Sequence, residues 1–223
     1  NYTVNTSGKR FANESQNYLT FMLEVLEKEK LGESCAPMYM IFDANHRKNY
    51  PVGPLMPGKF FPDSLVKIVH RDWFGSDFLT SASTVEELAV QIGIDADALK
   101  ATVNRVNDFS ATGKDLDFKR GDNERDRFSG DPTLLNPCLG PVDKAPFYAM
   151  RIDPGEFATC GGMAINEHGQ VLNNDNQPIT GLYATGNCTP ALLTTYPGPG
   201  ATIGPAMTFG FIAAKHLSGS NTL

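Results

Sequence analysis

Several features that mark whole classes of protein are missing from this 223-residue sequence. It has no basic stripe, and its net charge is −6, so we expect no nucleic-acid partner. No apolar run approaches the roughly 20 residues of a membrane-spanning helix, and no charged-then-apolar signal sequence begins the chain. We therefore expect a cytoplasmic protein without a membrane span.

Cysteine and histidine are scarce, and their spacing fits no metal site. The four cysteines are scattered without a Cys-x-x-Cys pair: Cys35, Cys138, Cys160 and Cys188. Neither a zinc site nor a disulfide framework is indicated, which fits a reducing compartment. The four histidines are expected at the surface without a shared role: His46, His70, His168 and His216.

The sequence does contain enough apolar residues, 41%, for a real core. Residues 1–12 are predicted to form a strand, a turn at Ser7-Gly8 and a short strand. A helix over residues 16–30 follows, for which Asn13-Glu14-Ser15 offers an N-cap. Its apolar positions recur at helical spacing: Tyr18, Phe21, Met22, Val25 and Leu26.

Further elements are predicted up to about residue 153. A capping box at Thr84 begins a helix over 85–92. Asp95 caps a helix over about 97–110, which Gly113 ends. A short helix over 64–70 and strands over 39–43 and 146–152 complete this part, and residues 114–137 are predicted as a charged loop.

The composition changes near residue 153, and we place a domain boundary there. Residues 161–166 and 170–173 are predicted to pair as a β-hairpin. A buried strand over 182–185, a glycine-proline loop and a helix over about 202–217 follow. The positive end of this helix points back at the loop, which suits a group that is or becomes negative.

The C-terminal third resembles the fumarate reductase/3-ketosteroid dehydrogenase superfamily of FAD-dependent flavoproteins. The resemblance lies in Thr159-Cys160-Gly161-Gly162, the hairpin, and Gly181-Leu182-Tyr183-Ala184-Thr185-Gly186-Asn187 with the loop into the last helix. Residues 4–15 resemble the superfamily's entry into its substrate domain. Family members begin with a half that carries Gly-x-Gly-x-x-Gly, and no such motif opens this chain. The resemblance therefore implies a C-terminal fragment.

This resemblance implies an α+β fold in three parts. Residues 1–12 would be the entry strand from the FAD domain. Residues 13–153 would be a substrate (catalytic) cap domain of mixed helices and short strands. Residues 154–223 would be the C-terminal hairpin, strand and helix of a Rossmann-like FAD-binding domain, whose N-terminal FAD half would be missing.

Tyr196-Pro197-Gly198-Pro199-Gly200 is similar to a loop of 3-ketosteroid Δ1-dehydrogenases. The resemblance implies that Tyr196 O–H and Gly200 N–H hold the ketone oxygen of a hydrophobic, steroid-like substrate, where enolate-like charge develops. It implies that Tyr18 is the base for the C2 proton, while the hydride goes to flavin N5. A packing role in the core for Tyr18, and in the loop for Tyr196, remain alternatives.

The resemblance also implies FAD as the cofactor of the full-length protein. Contacts with FAD are implied for residues of three segments: Gly161, Gly162, Gly186, Asn187, Ala201, Thr202, Ile203 and Gly204. The start of the last helix would neutralise negative charge on the flavin.

Two other functions stay open. A fumarate- or succinate-type enzyme would clamp a dicarboxylate with Arg and His, but residues 157–162 lack the histidine that such enzymes place before Thr-x-Gly-Gly. Alternatively, the polypeptide alone is catalytically silent, because it would lack most FAD contacts. In that case we expect no bound flavin, and self-association through the apolar face that the missing half would cover.

Overall fold

The structure is a computed structural model that describes residues 1–70, 73–74, 76–156, 158–193, 195–196 and 198–219. Its contacts divide the chain into two compact units, Asn1–Pro154 and Gly155–Leu223. Each unit contains both helices and strands. This mixture confirms the predicted α+β class.

The N-terminal unit is built on a four-stranded antiparallel sheet with the strand order β1-β2-β4-β3. The strands are β1 (Tyr2–Val4), β2 (Met38–Asp43), β3 (Leu79–Ala82) and β4 (Phe147–Ile152). The second short strand predicted before residue 12 does not form. Phe11 and Ala12 are instead buried in an apolar cluster beside the sheet.

One face of the sheet packs against α4 (Val85–Ile92) and α5 (Ala96–Thr112). Both predicted caps are confirmed. Thr84 Oγ1 accepts from Glu87 N at 3.1 Å, and Asp95 Oδ1 accepts from Ala98 N at 2.7 Å. The predicted stripe of α5 is buried, and Leu99, Val103 and Val106 share the cluster with the sheet, whereas Phe109 is buried outside that cluster.

The opposite face carries a second apolar cluster, because successive side chains of a strand point to opposite sides. Phe42 of β2 stacks on Tyr148 of β4 with 5.1 Å between ring centroids. α3 (Asp63–Val69) adds Val66 to this cluster. α2 (Ala44–Asn49) begins directly after β2, where Asp43 Oδ1 accepts from His46 N at 2.8 Å.

α1 (Tyr18–Lys30) begins later than predicted and has a different cap. Asn17 Oδ1 accepts from Thr20 N at 3.0 Å, so Asn17 is the N-cap and the prediction of Asn13–Ser15 was wrong. Within α1 only Val25 is buried. Leu26 is 49% exposed, so the apolar stripe does not lie wholly in the core. A further short helix, α6 (Glu124–Arg127), lies in the region predicted as a loop.

The C-terminal unit contains β5 (Gln170–Leu172), β6 (Pro178–Tyr183), a short 3-10 helix (Gly186–Cys188) and α7 (Ile203–Leu217). The predicted hairpin forms only in part. Ile165 bridges Val171, Asn166 N donates to Gln170 O at 3.0 Å and Leu172 N donates to Ala164 O at 2.8 Å, but residues 161–163 do not pair with this strand. The longer partner of β5 is β6, a pairing that the sequence did not predict. The buried strand predicted over 182–185 forms earlier in the chain, as β6. It is not buried as predicted, because Leu182 is 42% exposed. Among the helices of the described residues, none is long and apolar enough to cross a membrane.

Candidate functional site

In the C-terminal unit, the segment around Gly161 and Gly162 lies against the 3-10 helix. Gly161 N donates to Asn187 O at 3.1 Å, and Met163 N donates to Cys188 O at 2.9 Å. These hydrogen bonds bring together four residues implied to contact FAD: Gly161, Gly162, Gly186 and Asn187. Phe157, at the start of the segment compared with fumarate-type enzymes, lies outside the described residues.

Gly162 permits this close approach because it has no side chain. A Cβ at this position would lie 2.3 Å from the carbonyl oxygen of Cys188. The φ angle of Gly162 is +145°, a conformation that other residues rarely adopt. Contact between the two segments therefore requires glycine here.

The 3-10 helix is in turn held against α7. Thr185 Oγ1 donates to Ala206 O at 2.8 Å, and a Cβ on Gly186 would lie 3.3 Å from the Ala206 Cβ. Ala206 belongs to the first turn of α7, directly after Thr202–Gly204. The three segments implied to contact FAD thus adjoin one another within this unit.

The start of α7 offers positive charge that its own first turn does not neutralise. The structure describes every residue of the first turn, Ile203–Ala206, and none of them is acidic. The side chain of the N-cap residue Thr202 makes no capping hydrogen bond. The aligned peptide dipoles give this end partial positive charge. Negative charge on a bound molecule would be stabilised here.

Several glycines leave open space on this unit, and three of them lie in or next to the segments implied to contact FAD. A Cβ built on Gly161, Gly200 or Gly204 would meet no described atom of the chain within 4 Å. Backbone without side chains lets a flat ring approach closely, and the positive end of α7 suits a cofactor that gains negative charge. The residues present therefore fit the flavin of FAD.

Tyr196 and Gly200 lie in the loop before α7. Tyr196 is partly buried, whereas Gly200 is exposed, with φ of +95°. Gly200 O accepts from Gly204 N at 2.8 Å, so the end of the loop is tied to the start of α7. Pro197 of the same motif lies outside the described residues.

Tyr18, the implied base, is the first residue of α1 in the N-terminal unit. Its side chain is 49% exposed, which contradicts the alternative of a core position. The first turn of α1 has no acidic residue, and so its positive end is not offset there.

The Asn13-Glu14-Ser15 sequence, wrongly predicted as a cap, instead joins a buried network of charges. Glu14 accepts from Thr3 N at 3.0 Å, from Arg10 Nε at 2.9 Å and Nη2 at 2.8 Å, and from Arg120 Nη1 at 3.3 Å. Its side chain is only 9% exposed. The carboxylate thereby ties β1 to the segment that precedes α1.

The same network reaches the loop after α5. Arg10 donates to both oxygens of Asp115, at 3.1 and 2.8 Å. Arg120 Nε donates to Ser15 Oγ at 2.8 Å. Asn13 Nδ2 donates to Asp126 Oδ2, also at 2.8 Å. For convenience we call Arg10, Asn13, Glu14, Ser15, Asp115, Arg120 and Asp126 the Glu14 network.

The carboxylates at the centre of this network are held ionised. Burial raises the pKa of Glu14, but the charge of Arg120 and the hydrogen bonds from Arg10 outweigh burial and leave the pKa below its usual value. Burial also raises the pKa of Asp115, and hydrogen bonding and charge from Arg10 outweigh it in the same way. Both groups therefore carry negative charge at neutral pH.

His46 is not the surface residue that the sequence predicted. It lines a cavity of 500 Å³ in the N-terminal unit. Burial, reinforced by the charge of Arg120, lowers the pKa of His46 to about 2. Four buried atoms of this cavity's lining have no hydrogen-bond partner among the described residues: Tyr2 Oη, Thr3 Oγ1, Gln16 Nε2 and His46 Nε2.

Two other histidines do share a contact, contrary to prediction. The rings of His168 and His216 stack with 4.5 Å between centroids. Tyr183 Oη lies 2.7 Å from His216 Nδ1. This cluster joins the turn before β5 to α7 and lies within the C-terminal unit.

The Glu14 network left no recognisable pattern in the sequence, because most of its members are far apart in the chain. Only the four-residue spacing of Arg10 and Glu14 is a local signal of an ion pair. Asp115 follows Arg10 by 105 residues, and no pattern in the sequence relates them.

A model of the FAD binding domain family matches residues 1–203 of the chain. The 3-oxosteroid 1-dehydrogenase of Mycobacterium tuberculosis is 41% identical over 222 residues, which are 96% of this chain and 38% of that protein. The 4-oxocyclohexanecarboxylate 2-dehydrogenase of Sinomonas cyclohexanicum is 40% identical over 221 residues, which are 97% of this chain and 36% of that protein. The chain thus spans little more than a third of the length of these curated relatives.

A solved structure shows the same similarity in three dimensions. The 3-ketosteroid Δ1-dehydrogenase of Sterolibacterium denitrificans, in complex with 1,4-androstadiene-3,17-dione, matches with a TM-score of 0.86 and 43% identity. The match covers 99% of this chain and 39% of that one. These findings confirm the resemblance, and the chain belongs to the FAD binding domain family, within the fumarate reductase/3-ketosteroid dehydrogenase superfamily of flavoproteins.

Proposed function

We propose that this chain is the C-terminal portion of an FAD-dependent dehydrogenase that desaturates a ring ketone beside its carbonyl group, as in 3-ketosteroid 1,2-dehydrogenation. The observation that carries the proposal is that the loop with Tyr196 and Gly200 leads directly into α7, where a Cβ on Gly200 or Gly204 would meet no described atom of the chain. The 41% identity to a 3-oxosteroid 1-dehydrogenase supports it.

In this proposal Tyr196 and Gly200 bind the ketone oxygen. Loss of the proton from C2, next to the carbonyl, moves negative charge onto that oxygen. Two positioned donors, the Tyr196 O–H and the Gly200 N–H, stabilise the charge as it develops. Glycine suits the donor position at residue 200, because a backbone without a Cβ can come close to the substrate.

Tyr18 accepts the proton from C2 in the same proposal. A tyrosine is an unusual base, because its ordinary pKa is about 10. Tyr18 is the first residue of α1, and the first turn of this helix carries no acidic residue that would oppose a phenolate there.

Residues of the C-terminal unit would hold the cofactor: Gly161, Gly162, Gly186, Asn187, Ala201, Thr202, Ile203 and Gly204. The chemistry that bound FAD supplies is acceptance of the hydride from C1. The chain's own contribution is a close-fitting backbone at Gly161 and the positive end of α7, which stabilises negative charge.

The substrate class has a second candidate. The relative from Sinomonas cyclohexanicum, 40% identical, is named for a small ring ketone that bears a carboxylate. Both printed names describe dehydrogenation of an oxo-substituted ring, and so the proposed chemistry is the same for both. A fumarate or succinate reaction is less well supported, because no histidine precedes Thr159-Cys160-Gly161-Gly162.

The test compares Tyr196→Phe with Tyr183→Phe in the FAD-loaded full-length enzyme. Tyr183 provides a matched control because its hydroxyl contacts His216 in the same unit. We expect Tyr196→Phe to lower turnover of a 3-ketosteroid by about 10²–10³-fold, as for loss of one oxyanion donor, and Tyr183→Phe to retain it. Near-normal turnover by Tyr196→Phe would refute the proposed role.

Anaerobic bleaching of the flavin then distinguishes the substrates. We expect a 3-ketosteroid or 4-oxocyclohexanecarboxylate to bleach it and succinate to leave it yellow. Bleaching by succinate alone would replace the proposed function with the dicarboxylate alternative.

A further inference from the structure

We infer that Glu14, through the Glu14 network, positions Tyr18 for proton abstraction. The inference rests on the proposed function, in which Tyr18 is the base. Glu14 is four residues before Tyr18, and its carboxylate is engaged by Thr3, Arg10 and Arg120. Glu14 is thus a positioning residue, which acts through the chain that leads into α1.

The chain between Glu14 and Tyr18 is held by a succession of hydrogen bonds. Asn13 Oδ1 accepts from Ser15 N at 2.9 Å, and Asn13 O accepts from Gln16 N at 3.4 Å. Asn17 then caps α1, with Nδ2 donating to Thr20 Oγ1 at 2.9 Å. Asn13, Ser15, Gln16 and Asn17 each take part in one of these hydrogen bonds, and Ser15 also accepts from Arg120. Glu14 is held by its ion pairs with Arg10 and Arg120.

The network is buried and draws on distant parts of the unit. The side chains of Arg10 and Asp115 are 4% and 0% exposed, and that of Arg120 is 10% exposed. These groups belong to the turn after β1 and to the loop after α5. A buried, fully paired cluster of charges has few alternative arrangements, because removing one partner leaves another charge unpaired.

Apolar packing does less to place the first turn of α1. Val25, in the middle of the helix, is its one buried residue, and Phe21 and Met22 are only partly buried. Leu19 is 45% exposed. The polar anchor before residue 18 therefore determines where the N-terminal end of α1, and with it Tyr18, lies in this unit.

The test compares Glu14→Gln with Asp117→Asn in the FAD-loaded full-length enzyme. Asp117 is a matched control, since the same loss of charge there affects only an ion pair with Arg105, whose side chain is 56% exposed. Three quantities are measured with a 3-ketosteroid: kcat, KM, and the deuterium isotope effect for substrate labelled at C2.

We expect Glu14→Gln to lower kcat by about 10²-fold, the effect of a base displaced by about 1 Å, with little change in KM. The C2 isotope effect should rise, because proton removal becomes a slower step. A purely structural role would reduce the amount of active enzyme and leave the isotope effect unchanged. An unchanged isotope effect would therefore overturn the inference. Asp117→Asn should match the wild type in all three quantities.

If Glu14→Gln does not fold, Ser15→Ala tests the positioning role of the Glu14 network instead. It removes only the acceptor for Arg120 Nε, and we expect a smaller fall in kcat with a raised isotope effect. Wild-type values would overturn the inference. Tyr18→Phe distinguishes failure of the proposed base from failure of the positioning role. Full turnover by Tyr18→Phe would refute the role of Tyr18 as the base. If Tyr18→Phe is inactive and Glu14→Gln leaves the isotope effect unchanged, only the positioning role of Glu14 is refuted.

Discussion

Among single residues, Gly162 offers the clearest test of backbone geometry. Alanine at position 162 places a Cβ 2.3 Å from Cys188 O, in addition to the strain of φ at +145°. Alanine at position 161 has similar strain, with φ of +149°, but no described atom nearby. We expect Gly161→Ala to lower the free energy of unfolding by about 1–3 kcal/mol, the usual cost of such strain, and Gly162→Ala to cost more. Urea unfolding of both variants measures the difference, and equal values would show that the contact can relax.

His46 leads to a prediction about pH. The folded chain keeps this ring neutral, since its pKa is lowered to about 2, whereas in the unfolded chain it titrates near its ordinary value of about 6.5. As the pH falls below about 6.5, the unfolded state binds a proton that the folded state does not, and so stability declines. His46 should contribute a slope of up to about 1.4 kcal/mol per pH unit.

Removal of the His46 ring should therefore flatten the dependence of stability on pH. We expect His46→Gln to lose this part of the slope between about pH 6 and pH 4. His168→Gln, at an exposed histidine, is the control and should retain it. Urea unfolding across this pH range measures both, and parallel curves for His46→Gln and the wild type would contradict a buried neutral ring.

Among the elements, α5 shows how far local capping determines a helix. Asp95 accepts from Ala98 N at 2.7 Å and lies beside the positive end. We expect Asp95→Ala to lower the free energy of unfolding by about 1 kcal/mol, the typical cost of losing an N-cap. Asp108→Ala, the same change near the negative end of the helix, should be neutral or slightly stabilising. Thermal or urea unfolding measures the free energy of unfolding of both variants. Equal losses in the two variants would exclude a specific capping effect of Asp95.

Elements that depend on local signals could be predicted, and others could not. α4 and α5 carry their own caps and apolar stripes, so the sequence predicts both. β3 has only four residues, of which Leu79 and Ala82 are buried, and this spacing lacks the alternation of a strand. α2 has six residues without apolar periodicity. The cap of α1 was misplaced because the side chain of Glu14, three residues before the true cap, is used by the nearby Arg10 and the distant Arg120.

At the scale of the whole molecule, the chain spans 38% of the length of its relative from Mycobacterium tuberculosis. Its C-terminal helix bears an exposed apolar stripe, with Ile203 at 61%, Met207 at 70% and Phe211 at 61% exposure. These residues are four apart and so lie along one side of α7. Exposed apolar stripes of this kind favour association.

We expect the purified 223-residue chain to be colourless and to self-associate. Met207→Asp should shift it toward the monomer, because a charge opposes burial of the stripe. Phe128→Asp is the control, because Phe128 is an 85% exposed aromatic residue of the other unit. This variant should self-associate as the unaltered chain does. An absorption spectrum and sedimentation velocity test these points. A stoichiometric bound flavin, or a monomer at every concentration, would contradict them.

The sequence by itself determined the α+β class, the caps of α4 and α5, the final helix and the superfamily, because each depends on residues close together in the chain. It also singled out Gly161, Gly162, Gly186 and Asn187, which the structure brings together. Only the tertiary structure decided that β5 pairs with β6, that His46 lines a cavity, and that Glu14 binds Arg10 and Arg120, with Asp115 on the other side of Arg10. Such partners are chosen by packing between distant segments, which leaves no periodic trace in the sequence.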